Sequence, residues 1–122
     1  MKISEAIQIL NAEVHNAEKE QLDAEIKTAR ASDLMSEILA STEVPDMLLT
    51  GLTNAQVIRL ASIFGIKAIT IVRGKEVDPK IFLLAKEEKI VIMTTKYSLF
   101  TSCGKLYEKG INGEIINAPK PR

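Results

Sequence analysis

The chain has 122 residues, 46% hydrophobic and 26% charged, which is typical of one globular domain large enough to bury a core without disulfides. Its 16 basic and 16 acidic side chains cancel, which argues against a nucleic-acid partner because such a surface concentrates positive charge. The single cysteine, the acidic start at Glu5 and the lack of an apolar run of about 20 residues predict a cytoplasmic protein with no membrane partner.

The first third of the chain predicts one helix and two short strands. Apolar residues at helical spacing indicate a helix over Ile3–Leu10, with Ser4 as its cap. Glu13–Asn16 is predicted to be a strand, Ala17–Asp23 a polar connection, and Glu25–Ala31 a second strand, because its side chains alternate. A hairpin at the sheet edge is one arrangement open to these two strands.

The remaining two-thirds alternates helices with strands. Three nearly continuous apolar runs, typical of strands covered on both faces, are Asp46–Thr50, Lys67–Arg73 and Ile90–Met93. Helices are predicted to begin after Ser32-Asp33, at Thr53 or Asn54, after Asp78-Pro79, and at Tyr97 or Ser98. Gly65 is placed to end the second of these helices.

The helical spacing also predicts which side chains face the core. In the helix after Asp33 the apolar face is expected to include Leu34, Met35, Ile38 and Leu39. In the last helix, predicted to end near Lys109, the inward side chains are expected to be Leu99, Cys103, Leu106 and Tyr107.

Short connections between strands and helices predict right-handed βαβ units. The expected fold is α/β, a three-layer sandwich with a mostly parallel central sheet built from βα repeats, plus the N-terminal helix. We expect a single domain over residues 1–110. Residues 111–122 are expected to form a partly flexible tail or a short edge strand.

Ligands of open α/β sheets bind beyond the carboxyl ends of the strands. The three apolar strands are followed there by hydroxyls, cations, glycines and helix N-termini, which together could cradle a phosphate or carboxylate. The alternative is that these residues are only good turn and cap formers. The candidate ligand-binding residues are Thr50, Gly51, Thr53, Asn54, Arg73, Gly74, Thr94, Thr95, Lys96, Tyr97 and Ser98.

Catalytic constellations are not evident in the sequence. Neither a Walker A loop nor a dinucleotide-binding glycine fingerprint is present. The lone His15 has no partner for a triad or a metal cage, and Cys103, on an apolar helix face, is expected to be an inert thiol. Asp33, Asp46 and Asp78 lie at helix or strand starts, where capping explains them. We expect no enzyme activity, no metal and no cofactor.

Several short motifs, in this order and spacing, are similar to the DRTGG domain family. They are Met1-Lys2-Ile3-Ser4-Glu5, Ala31-Ser32-Asp33-Leu34-Met35-Ser36, Leu48-Leu49-Thr50-Gly51-Leu52-Thr53-Asn54, Ile71-Val72-Arg73-Gly74-Lys75 and Thr94-Thr95-Lys96-Tyr97-Ser98-Leu99-Phe100. The resemblance covers residues 1–110 and is closest to stand-alone members; the family is also similar to the N-terminal domain of HPr kinase/phosphorylase. The sequence departs from the family where Leu52-Thr53 replaces a typical Asp-Arg pair and Val72-Arg73-Gly74 replaces Thr-Gly-Gly.

The resemblance implies a non-catalytic regulatory or ligand-sensing module that is often a homodimer. Family members fused to CBS domains place this module at a dimer interface beside adenine-nucleotide regulation, which implies a small anionic ligand or nucleotide at the strand-end loops. Stand-alone members are encoded near iron-only hydrogenase components, which implies the alternative of a protein–protein interaction subunit in a redox, hydrogenase-associated system.

Overall fold

The computed structural model describes residues 1–39 and 43–113. The elements in chain order are α1 (Ile3–Ile9), β1 (Glu13–Val14), α2 (Lys19–Leu22), β2 (Ala29–Ala31), α3 (Met35–Leu39), β3 (Met47–Thr50), α4 (Ala55–Phe64), β4 (Ala68–Ile71), α5 (Pro79–Glu87), β5 (Val91–Thr94) and α6 (Leu99–Glu108). None of the helices in these ranges is long and apolar enough to cross a membrane.

The strands of this part of the chain form one five-stranded sheet in the order β1-β5-β4-β3-β2. The four strands from β2 to β5 are parallel, and β1 pairs antiparallel with β5 at one edge. The predicted α/β fold with a mostly parallel sheet is therefore confirmed. β3 and β4 are buried along their whole length, as their continuous hydrophobicity indicated.

Helices cover both faces of the sheet and make two separate cores. One core joins α3, α4 and α5 to alternate strand residues such as Leu48, Ile69 and Ile92. The other joins α1 and α6 to the opposite set, such as Leu49 and Met93. This is the expected three-layer sandwich, because successive strand side chains point to opposite faces.

Local signals at the helix ends agree with the structure. The Asn54 side chain accepts from the Val57 N–H, and the Asp78 side chain accepts from the Lys80 N–H, so both residues cap helices as predicted. Gly65 ends α4 in the left-handed conformation, with φ of +76°. At α1, however, the N-cap is Lys2, so the prediction of Ser4 was wrong.

The first third differs most from the prediction. β1 and β2 lie at opposite edges of the sheet and therefore do not form a hairpin. The predicted connection Ala17–Asp23 contains the short helix α2. The strand predicted over Glu25–Ala31 is shortened to β2 because the N–H groups of Lys27 and Thr28 donate to the Asp46 carboxylate and not to a neighbouring strand.

Two predicted core faces were also partly wrong. Leu34 is 61% exposed because it precedes α3, which begins at Met35. Leu34 belongs to a turn in which its N–H donates to the Ser32 hydroxyl. Tyr107 is 72% exposed, since the buried side of α6 is a narrow strip of Leu99, Ser102 and Leu106. Of the four α6 residues that were predicted to face inward, only Leu106 is buried, while Cys103 is half-buried.

The start of the predicted tail packs on the domain. Ile111 is buried in the α1–α6 core, and the Asn112 N–H donates to the Lys27 carbonyl while the Asn112 carbonyl accepts from the Ala29 N–H. Residues 114–122 lie outside the described residues, so a flexible tail there and the domain limit at residue 110 remain predictions.

Shortening a core side chain should test the packing of the helical face that joins α3, α4 and α5. Ile69 is fully buried in that core, and Ile69→Ala should lower the free energy of unfolding by about 2–5 kcal/mol because a cavity is left behind. The matched change Ile63→Ala, at a position 76% exposed on α4, should stay within about 0.5 kcal/mol. Urea unfolding measures both values, and similar losses for the two variants would contradict this core.

Candidate functional site

The carboxyl ends of the four parallel strands lie along one edge of the sheet. We call this the strand-end edge and define it by Ser32–Asp33, Thr50–Asn54, Val72–Lys75 and Thr95–Ser98. Three of these segments were predicted. The fourth, after β2, was missed because Asp33 was interpreted only as a helix cap.

Asp33 joins three strands at this edge. Its Oδ1 accepts from the Gly51 N–H at 2.6 Å and from the Thr50 hydroxyl at 3.4 Å, both after or at the end of β3. Its Oδ2 forms an ion pair with the guanidinium of Arg73, which follows β4. The capping interpretation of Asp33 was therefore wrong. The carboxylate instead occupies a cradle of two neutral donors and one cation, a set that suits an anion.

Gly51 leaves the space that the Arg73 guanidinium occupies, and a side chain at position 51 would displace this flexible end of Arg73. A Cβ built on Gly51 would collide with the Arg73 guanidinium, so the buried Gly51 backbone forms the floor on which the cation rests. Arg73 and Gly74 have φ angles of +71° and +62°. These values lie in the left-handed region, which glycine adopts freely and arginine rarely. The conformation of Arg73 is held by contacts on both its side chain and its backbone.

The loop after β5 makes those backbone contacts. The Arg73 N–H donates to the Tyr97 carbonyl at 2.8 Å, and the Gly74 N–H donates to the Thr95 carbonyl at 2.9 Å. The Thr95 hydroxyl donates to the Leu10 carbonyl at 2.7 Å, which ties the same loop to the end of α1. Thr95 is buried and structural, whereas the bonds from Arg73 and Gly74 draw the β4 and β5 ends together.

Positive charge gathers beside the cradle. The Lys75 Nζ donates to the Gly51 carbonyl at 2.6 Å, so this lysine, absent from the predicted set, also belongs to the site. Lys96 is exposed, lies against Gly74, and has no hydrogen-bond or ion-pair partner in residues 1–39 and 43–113. Lys105 Nζ lies 5.0 Å from the centre of the Tyr97 ring, at cation–π distance.

Other candidate ligand-binding residues make contacts that stabilise the fold. Asn54 caps α4, and the Ser98 hydroxyl caps α6 by accepting from the Thr101 N–H. The Thr94 hydroxyl bonds to His15, whose ring stacks on Phe82 with the ring centres 4.1 Å apart. Thr53 is half-exposed between the Gly51 turn and the α4 cap. The turn-and-cap interpretation therefore describes Asn54 and Ser98, whereas Thr94 contacts His15 and the cradle involves Thr50, Gly51 and Arg73.

Within residues 1–39 and 43–113, no group of three or more His, Cys, Asp or Glu side chains could hold a metal ion. Burial raises the pKa of the Cys103 thiol, so less of it is thiolate at neutral pH, as expected for an inert cysteine. The donors around Asp33 can bind an anion.

A second surface feature lies on the α6 face of the sheet. An apolar groove of about 430 Å³, which we call the α6 groove, separates the outer part of α6 from the β2 edge. Its lining includes Ala31, Leu49, Phe100, Cys103 and Gly104. Sequence reasoning missed it because Tyr107, also in the lining, was expected to be buried.

Comparison with known proteins gives one family and a structural neighbour. The model of the DRTGG domain matches residues 5–108. The crystal structure of the CBS and DRTGG domains of the regulatory region of Clostridium perfringens pyrophosphatase, complexed with its activator diadenosine tetraphosphate, matches 86% of this chain with a TM-score of 0.68 and 17% identity. The chain spans 45% of that neighbour, and the likeness shows the fold. No curated protein matches the sequence.

Two substitutions of Asp33 should separate its charge from its hydrogen bonds. Asp33→Asn keeps an oxygen for the Gly51 N–H but loses the ion pair with Arg73, so it should cost at most about 1 kcal/mol, as exposed ion pairs do. Asp33→Ala also leaves the Gly51 N–H without its acceptor and should cost about 1–3 kcal/mol more. Urea unfolding measures the difference.

The exposed Asp23 offers the control for these variants. Asp23→Ala removes a carboxylate on the surface and should leave the free energy of unfolding within about 0.5 kcal/mol of the wild type. If Asp33→Asn were as damaging as Asp33→Ala, the ion pair and not the bond to Gly51 would dominate the cradle.

Proposed function

Since the chain belongs to the DRTGG domain family, as its motifs predicted, we propose that it is a non-catalytic regulatory module that senses a small anion at the strand-end edge. We propose further that it works as a homodimer in the cytoplasm. The Asp33 cradle is the observation that carries the anion proposal, because it is a set of anion-binding donors already filled by a carboxylate of the same chain.

The proposed mechanism is competition between Asp33 and a ligand. A phosphate or carboxylate can accept from the Gly51 N–H, the Thr50 hydroxyl and the Arg73 guanidinium, which are the donors that now hold Asp33. Lys96, whose side chain lies against Gly74 and has no partner within the described residues, adds positive charge to the same edge. Binding would release Asp33 and with it the link between β2 and β4.

Adenine nucleotides are the ligand class to test first. The regulatory region of the similar pyrophosphatase is complexed with diadenosine tetraphosphate, an adenine nucleotide rich in phosphate. We extend that class to this chain on the strength of the cradle, whose cation and N–H donors match phosphate oxygens. Leu52-Thr53 stands where the family typically has an Asp-Arg pair, so the guanidinium of the cradle comes from Arg73 instead.

A protein-interaction function is the second candidate. Phe100 and Tyr107 are 87% and 72% exposed on α6, and such a pair beside an apolar groove favours contact with a protein. The resemblance implies a partner from a redox, hydrogenase-associated system for this alternative.

Calorimetric titration with phosphate, ATP and diadenosine tetraphosphate tests the anion proposal. Arg73→Ala should weaken binding about tenfold or more, because a charge-assisted bond to the ligand is lost. Asp33→Asn should strengthen binding by several-fold, to about tenfold, because a competing negative charge is removed.

Arg59→Ala, on the exposed side of α4, is the matched control for the loss of one arginine and should bind as the wild type does. If Arg59→Ala and Arg73→Ala weakened anion binding equally, the loss would come from the change in net charge and not from a contact between Arg73 and the ligand. Absence of binding in the wild type and in Asp33→Asn would overturn anion sensing and favour the protein-interaction function.

A further inference from the structure

The outer side of β2 is an edge of the sheet and borders the α6 groove. Successive residues of a strand direct their backbone N–H and C=O groups to alternate sides. On the β3 side, the Thr28 carbonyl accepts and the Ser32 N–H donates. The backbone groups of Ala29 and Ala31 therefore point away from β3, toward this edge.

The chain returns to this edge after α6 and begins to pair with it. Asn112 lies opposite Thr28 in parallel orientation. Its N–H donates to the Lys27 carbonyl and its carbonyl accepts from the Ala29 N–H, both at 3.0 Å, which is the repeating unit of a parallel ladder. The next two groups along the edge are the Ala29 carbonyl and the Ala31 N–H. They have no partner within residues 1–39 and 43–113, and we call them the two open groups.

The α6 groove lies on the face of the sheet where the chain arrives. Ile111 packs in the α1–α6 core, and Ile111 and Gly113 line the groove together with Ala29 and Ala31. The next residues of the sequence, Glu114–Ile116, therefore start at the groove and bring two apolar side chains to it. A segment of the same chain has an effective concentration at this place that a separate partner lacks.

We propose that Glu114–Ile116 form a strand parallel to β2, whose Ile115 side chain fills the α6 groove. The register set by Asn112 repeats every two residues, so Glu114 is the next residue to bond, and its N–H and carbonyl meet the two open groups. The proposed strand lies beyond residues 5–108, which match the family. The proposal is independent of anion binding and states how this chain closes its own sheet edge.

The alternation of a strand separates the two isoleucines. Paired residues of parallel strands place their side chains on the same face, so Ile115 shares the face of Ala31, which lines the groove. Ile111, four residues earlier, already lies on this face. Ile116 points to the opposite face, and a shift of register by one residue would exchange the two. Ile116 is therefore the matched control for Ile115.

Labelling of Cys103 with a fluorescent maleimide measures whether the groove is covered. Cys103 lines the groove and is the single cysteine, so the full chain reacts at one place. Ile115→Ser should raise the labelling rate about tenfold or more, because an apolar side chain that covers the thiol is lost. Ile116→Ser should change the rate less than about twofold, and serine adds no charge near the thiol.

Hydrogen exchange of the Ala31 N–H measures the backbone part of the proposal. This N–H should exchange slowly in the wild type because it donates to the Glu114 carbonyl, and Ile115→Ser should speed its exchange about tenfold or more. The neighbouring Ser32 N–H donates to the Leu49 carbonyl. It should stay protected in every variant, which also checks that each variant is folded.

Three results would overturn the proposal. The first is fast exchange at Ala31 in the wild type together with equal Cys103 labelling in the wild type and Ile115→Ser. The second is a larger effect of Ile116→Ser than of Ile115→Ser, which would contradict the register. The third is protection that falls on dilution from about 100 μM to about 1 μM, because a strand from the same chain is insensitive to dilution and one from a second copy is not.

Discussion

The order of the parallel strands constrains everything else in this domain. The strands β2, β3, β4 and β5 lie side by side in the sheet in the order in which they follow along the chain. Right-handed crossovers between them then place α3, α4 and α5 on one face. The opposite face must be covered by segments from the two ends of the sequence, α1 and α6. Among the described residues that cover leaves the α6 groove open beside β2. The groove follows from the topology, since the helices that connect the parallel strands lie on the other face.

The same order brings four strand ends to one edge, where Asp33 connects β2, β3 and β4 through a single carboxylate. Because Arg73 covers Gly51 and Lys75 bonds to the Gly51 carbonyl, the polar groups of this edge largely satisfy one another. Such an edge is suited to exchange one anion for another.

The sequence predicted most of the fold because its signals are local. Caps such as Asn54 and Asp78 depend on N–H groups two or three residues away. The buried strands are indicated by their own apolar runs. For the candidate site, the sequence predicted the edge of the sheet where it lies but not which side chains meet there. Asp33 meets Arg73 forty residues along the chain, a contact that no local pattern contains. The exposed Tyr107 of α6 was assigned to the core because helical spacing does not tell which of two apolar sides faces inward.

The loop between β5 and α6 links the two proposed surfaces. Its Thr95 and Tyr97 carbonyls accept from the Gly74 and Arg73 N–H groups, and one residue later Ser98 caps α6. Lys105, on α6 itself, returns to the Tyr97 ring. Arg73 thus meets the ligand cradle through its side chain and the start of α6 through its backbone. If anion binding at Arg73 changes the dimer affinity, thermodynamic linkage requires dimerisation to change the anion affinity by the same factor. For the proposed regulatory module, this loop of four residues would be the physical path of that coupling.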